Sequence, residues 1–149
     1  MTTHIRSSAE IERPVDAVYE YVTTPGNWPR WHPSSLVVRG ATDHSLAVGE
    51  QVTEDYLVAG QRGTVVWSVT AREAPRRWVI VGTTAETKTR GEVAYTLMAT
   101  PSGATRFERV FSYDLPDAPL PDEMVREYER RVQEESDEAV RRLKAALEA

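Results

Sequence analysis

Between Thr3 and Glu12, small or apolar residues alternate with polar ones: Ile5, Ser7, Ala9 and Ile11 fall on one side, His4, Arg6, Ser8 and Glu10 on the other. A period of two marks a strand with one buried face. At Pro14 the period changes, because Val15, Val18, Tyr19 and Val22 recur at helical spacing. A proline there loses nothing, since first-turn amides have no partner within the helix. A short amphipathic helix is therefore expected to about Thr23, ended by Thr24-Pro25-Gly26. The next stretch, Asn27-Trp28-Pro29-Arg30-Trp31-His32-Pro33, holds too many prolines for a long helix and predicts one brief helical turn carrying two tryptophans.

From Ser35 to Tyr113 the period returns to two. Turn-forming stretches interrupt it at Gly40 to Gly49, Gly60 to Gly63, Ala74 to Arg76, Glu86 to Gly91 and Thr100 to Ala104. Six further strands follow, over about 35 to 39, 51 to 58, 64 to 73, 77 to 85, 91 to 99 and 105 to 114. From Pro121 to Glu148 the spacing is helical again, with Met124, Tyr128, Val132, Ala139, Leu143 and Leu147 on one stripe. At about 1.5 Å per residue this helix extends about 40 Å, enough to run along a whole sheet. Its other faces mix both charges at helical spacing, such as Glu127 with Arg131 and Glu138 with Arg142, which reads as a solvated surface. No linker, repeat or low-complexity tract breaks this order, so one domain over 1–149 is expected.

Antiparallel partners share a sheet face, so the facing of one strand propagates to the next. With Gly60-Gln61 as a two-residue loop, Trp67 pairs with Glu54 and Val65 with Tyr56. Even turns near Pro75 and Thr87-Lys88 then add Trp78, Ile80 and Gly82, and Val93, Tyr95 and Leu97, to the same inner face. The outer face receives Thr64, Ser68, Thr70, Arg72, Arg77, Glu92 and Thr96. For the last strand, an odd loop turns Phe107, Arg109, Phe111 and Tyr113 inward and an even loop Glu108, Val110 and Ser112; the aromatic set is the better face to meet a helix and is preferred.

Composition narrows the class. Hydrophobic residues at 40% and charged residues at 28% fit a globular chain, and no apolar run approaches the ~20 residues of a bilayer span. The start of the chain lacks the look of a signal peptide, so a cytoplasmic location without membrane insertion is expected. Cysteine is absent, which removes disulfides, thiolate nucleophiles and cysteine-held metals. A net charge of -5 argues against a nucleic-acid partner, because phosphate binding calls for a basic surface. Oligomeric state stays open, a homodimer being compatible with the sequence.

The inner face is richer in large polar-tipped aromatics than a simple core requires. Trp67, Trp78, Tyr56, Tyr95 and Tyr128 each bring one hydrogen-bonding group that needs a partner when buried. They either pack on each other and the helix, or line a cavity. Arg109, unpaired in a dry interior, would cost several kcal/mol, so it must meet a carboxylate such as Glu54, reach water, or hold an anionic or carbonyl group of a ligand. With Tyr95 it could polarise a ligand carbonyl. His32, beside the tryptophan turn, titrates near neutrality when unperturbed and would suit acid or base work, although a surface histidine is the plainer reading. His4, His32 and His44 lack metal-ligand spacing, and no metal or cofactor is expected. Ser34 and Ser35 lie too near His32 to form a triad, and nucleophile-elbow, phosphate-loop and dinucleotide motifs are missing.

The opening IERPVDAVYEYVTTPGNWPRWHP resembles the start of the polyketide cyclase/dehydrase and lipid-transport group of the START-like (SRPBCC) helix-grip superfamily. Ile11, Pro14, Val18, Tyr19, Val22, Asn27, Trp28, Trp31 and Pro33 carry the resemblance, with the Gly49 to Tyr56 strand entry and the Gly103 to Tyr113 final strand. The resemblance implies an α+β helix-grip fold: a curved seven-stranded antiparallel sheet wrapped around a long C-terminal helix, with two short helices between strands 1 and 2. It also implies a cavity between sheet and helix for a small hydrophobic, lipid-like or polyketide-like molecule. Its expected ligand-binding residues are Trp31, Tyr56, Trp67, Trp78, Tyr95, Arg109, Phe111 and Tyr128. Members include carriers, cyclases or dehydratases and chaperone-activator relatives, so the resemblance leaves open whether the chain is an enzyme.

Overall fold

The computed structural model describes residues 2–115 and 120–149. Strand β1 (Thr2–Ile11) leads into helix α1 (Val15–Val22), a 3-10 turn (Pro25–Asn27) and helix α2 (Trp28–Trp31). Strands β2 (Ser35–Gly40), β3 (Gln51–Val58), β4 (Gln61–Glu73), β5 (Arg77–Thr84), β6 (Arg90–Ala99) and β7 (Thr105–Asp114) follow, then helix α3 (Asp122–Glu148). The strands form one antiparallel sheet in the order β1-β7-β6-β5-β4-β3-β2. Its edges are thus β1 and β2, and the two short helices carry the chain between them.

The turns set the register. Ala59 and Gly60 both have positive φ (47° and 81°), the geometry that suits a two-residue hairpin. The loop is therefore Ala59-Gly60, one residue earlier than expected, and the pairs are Glu54 with Val65, Tyr56 with Gly63 and Val52 with Trp67. The expected partners were wrong by two positions. An even shift leaves every side chain on its face, so Glu54, Tyr56, Val65 and Trp67 still point the same way. The five-residue loop between Ala99 and Thr105 is odd, and Phe107, Arg109, Phe111 and Tyr113 face inward as anticipated.

One facing expectation fails. The β4–β5 register shifts between Val69 and Ala71, and beyond that bulge Arg72 pairs with Trp78 on the inner side. Arg72 is consequently no solvated outer residue. Its guanidinium carbon lies 5.3 Å from the Tyr19 ring centroid, and Nη1 donates to Ser45 Oγ (2.6 Å) and the Leu46 carbonyl (3.0 Å).

The two ends of the fold are packed differently. At one end, Trp28 meets Trp78 edge-on at 6.2 Å, Trp78 stacks on Tyr95 at 5.5 Å, and Tyr95 abuts Phe107 at 5.2 Å. Both indoles there are satisfied: Trp28 Nε1 donates to the Val22 carbonyl (2.9 Å) and Trp78 Nε1 to that of Leu46 (3.1 Å). On α3 the buried positions are Val132, Ser136, Ala139, Val140, Leu143 and Leu147, all in its second and third thirds. Met124, on the same expected stripe, is 56% exposed, and Tyr128 is only part-buried. The helix seals the sheet along its C-terminal portion. Its first turns lie over a hollow. On its outer face Glu138 pairs with Arg142 (3.2 Å), while Glu127 takes Arg130 (2.6 Å) in place of the expected Arg131.

Candidate functional site

The hollow is a cavity of about 490 Å³ between the concave sheet face and α3. Two glycines help explain why it is not filled. Gly82 pairs with Gly91 across β5 and β6, and Gly82 also faces Trp67 on β4. A side chain at Gly82 would run into the Val66 carbonyl oxygen at 2.6 Å and the Trp67 ring at 3.0 Å, and one at Gly91 would touch the same ring at 3.4 Å. The indole of Trp67 thus lies along the sheet over bare backbone, leaving the space above it to the cavity.

Seven of the eight residues expected at a ligand site line this space: Trp31, Tyr56, Trp67, Tyr95, Arg109, Phe111 and Tyr128. Trp78 does not. It is fully buried in the solid end behind Tyr95, because α1, α2 and the Leu46 loop cover the end of β5 where it sits. The wall also includes residues outside that expected set, among them His32, Glu54, Glu135 and Ser136. Ser136 had a readable signal, as it falls four residues after Val132 within the apolar stripe of α3, where a polar side chain is out of place. Glu135 had none, since its partners come from distant parts of the chain.

Arg109 is buried, and its Nη1 donates to Ser136 Oγ at 3.2 Å. Its guanidinium carbon lies 5.6 Å from the Phe111 ring centroid, and its Nε has no acceptor among the described residues. Burial lowers its pKa from the ordinary value, with Tyr95 and Glu54 acting in the other direction. Burial raises Tyr95, against the nearby charge of Arg109. Glu54 accepts a hydrogen bond from Trp67 Nε1 at 3.0 Å. Burial pushes its carboxyl up, while the polar groups of Ser35 and Trp67 and the charge of Arg109 pull it back.

His32 is held in one tautomer. The Ser34 amide donates to its Nδ1 at 3.1 Å, so Nδ1 carries the lone pair and Nε2 the hydrogen. Burial, with the charges of Arg109 and Arg142, pushes its pKa well below the usual 6.5. At neutral pH His32 is an uncharged N–H donor whose acceptor nitrogen is already engaged, an arrangement that disfavours a general base.

Near the mouth, Glu135 ties α3 to the sheet. Both its oxygens accept from the Ala59 amide at 3.0 Å, and Oε1 also accepts from Ser34 Oγ at 3.2 Å. Tyr128, two turns earlier on α3, has its phenol pushed up to about 12, chiefly by burial. Among the described residues no group of three His, Cys, Asp or Glu is placed to hold a metal, and no helix is long and apolar enough to cross a membrane.

A curved seven-stranded antiparallel sheet that grips a long terminal helix, with a cavity between the two, defines the helix-grip class. Within it, the chain belongs to the polyketide cyclase/dehydrase and lipid transport family, whose model matches residues 2–148. The fold is similar to that of the Zhui aromatase/cyclase from Streptomyces sp. R1128 (TM-score 0.80, 16% identity, 99% of this chain and 94% of that one). It is similar also to a START superfamily protein from Mycobacterium smegmatis (TM-score 0.72, 15% identity, 97% of each chain). A protein from Chromobacterium violaceum aligns with TM-score 0.68 at 19% identity, over 98% of this chain and 97% of that one. At such identities these likenesses concern the fold. No curated protein matches the sequence.

Proposed function

We propose that this protein binds and encloses one small, largely apolar molecule, aromatic or lipid-like, between the sheet and α3. The observation that carries this reading is the cavity itself. Its volume of about 490 Å³ falls in the usual range for small-molecule sites, and its wall combines Trp31, Trp67, Tyr95 and Phe111 with a few polar groups. Rings of this kind supply area and orientation, and Arg109, Glu54 and His32 supply polar recognition. Native mass spectrometry of the purified protein tests it. A bound small molecule, or saturable one-to-one uptake of an added aromatic compound, is the expected result. A protein that takes up none of a broad hydrophobic panel is not a ligand binder.

A second reading, an aromatase/cyclase or dehydratase, draws support from the convergence of Arg109, Tyr95, Glu54 and His32 on one cavity. In that reading enclosure folds the substrate, and Arg109 with Tyr95 polarises a carbonyl. Turnover of a poly-β-keto mimic, lost in Arg109→Met, would favour it; absence of turnover with binding retained would leave the carrier. A chaperone-activator-like module draws less support, since the outer face of β4 carries Thr64, Ser68 and Thr70 around the exposed Val66.

A further inference from the structure

Glu54 on β3 and Arg109 on β7 stand on the wall of the same cavity, and neither takes part in any ion pair among the described residues. Strands β4, β5 and β6 lie between them in the sheet, so curvature brings the two charges toward one space without letting them touch. Each is already secured from one side. Trp67 Nε1 holds Glu54 Oε1, and Ser136 Oγ takes the Arg109 Nη1 hydrogen. Ser35 also lies against the Glu54 carboxyl and Tyr95 against the guanidinium, whose Nε has no acceptor among the described residues, and both charged heads line the space that an enclosed molecule would occupy.

Two opposite charges on one wall select against a charged ligand. A carboxylate would gain Arg109 and face Glu54, and an ammonium would do the reverse. An ether or ketone oxygen accepts from Arg109 but offers Glu54 nothing. A hydroxyl matches both, because it donates one hydrogen and accepts through two lone pairs. His32, an uncharged N–H donor, lines the same cavity.

We propose that Glu54 and Arg109 form a divided pair that receives one neutral hydroxyl, from an alcohol, phenol or enol, at the end of an otherwise apolar ligand. The hydroxyl donates to Glu54 and accepts from Arg109. This inference rests on the ligand-binding reading above and goes further in naming the group that the site selects.

The test uses the full chain at pH 7 with three probes of the same ring system: 2-naphthol, 2-methoxynaphthalene and 2-naphthoate, titrated by calorimetry. Because hydrogen bonds to charged groups are the strong ones, the naphthol should bind at least about tenfold tighter than its methyl ether, and tighter than the carboxylate. In Glu54→Gln, with an unchanged far-UV spectrum, the ratio of naphthol to methyl ether should fall several-fold. Equal binding of naphthol and ether, or preference for naphthoate, overturns the divided pair while the cavity reading stands. Should Glu54→Gln fail to fold, the three wild-type affinities decide alone. Binding of none of the three, where the broad panel also fails, counts against the ligand-binding reading itself.

Discussion

Trp67 and Gly82 are direct partners across β4 and β5, and the indole of the first occupies the space a side chain on the second would need. The tryptophan lies flat because the glycine is bare, and the cavity keeps the volume that an upright ring would take.

Gly82→Ala should therefore destabilise the protein by about 1–3 kcal/mol, the usual range for overpacking, because its new methyl meets the Val66 backbone carbonyl, which has nowhere to go. Gly91→Ala, whose contacts of 3.4 Å and more are ordinary, should stay within about 1 kcal/mol of the parent. Urea unfolding of both variants checks the contrast; equal losses would mean that the glycine row does not seat the ring.

Trp78→Ala should cost about 3–5 kcal/mol, as expected for an aromatic ring removed from a packed interior. Trp78 touches the solid end and not the cavity wall, so a variant kept folded at low temperature should retain ligand affinity. A large drop in affinity in a folded Trp78→Ala would show the solid end to be part of the site.

The expected strand and helix spans hold to within a few residues, because period two, period 3.6 and glycine or proline turns are local signals. The inner face of β6 was as legible, whereas for β7 the loop length left two faces open and the aromatic set of Phe107, Phe111 and Tyr113 favoured the one that is buried. What the sequence hid came from backbone events. A bulge after Val69 turned Arg72 inward, and the choice between Gly60-Gln61 and Ala59-Gly60 as the loop moved the β3–β4 pairs by two. Trp78 and Tyr95 share a face and even a pair, yet only Tyr95 reaches the cavity, since what covers each depends on where α1, α2 and the Leu46 loop settle. Alternation assigns a face and not a depth along it.

His32 gives the pH dependence its sign. Its folded pKa lies well below 6.5, so as pH falls under about 6.5 the unfolded chain takes up a proton that the folded protein refuses, and stability drops. The slope is at most about 1.4 kcal/mol per pH unit, between the unfolded and folded values. Glu54 acts the other way: its raised pKa favours the folded state at low pH, and that contribution is lost as pH rises through the folded value. Unfolding of the parent and His32→Gln, compared between about pH 7 and pH 5, should show the parent losing more on acidification. Parallel curves would mean that His32 is solvated.

Glu135→Ala should remove about 1–3 kcal/mol, because the Ala59 amide and Ser34 hydroxyl lose their shared acceptor in part-buried surroundings. Amide hydrogen exchange at Ala59 should accelerate well beyond the change at Val69 in the middle of β4. Uniform acceleration would instead report general destabilisation without a local tie between α3 and the β3–β4 turn.

The most direct test of the enclosed-ligand account is calorimetric titration of the naphthalene probes into the parent and into Gly91→Leu. Gly91 lies on the cavity wall, where a first carbon already touches Trp67 at 3.4 Å and Phe111 at 3.6 Å, so the rest of a leucine there must take its room from the cavity. The account predicts one-to-one binding by the parent and a loss of at least about tenfold in a Gly91→Leu variant that remains folded. Undiminished binding by that variant would place the probe on the outer surface and contradict it.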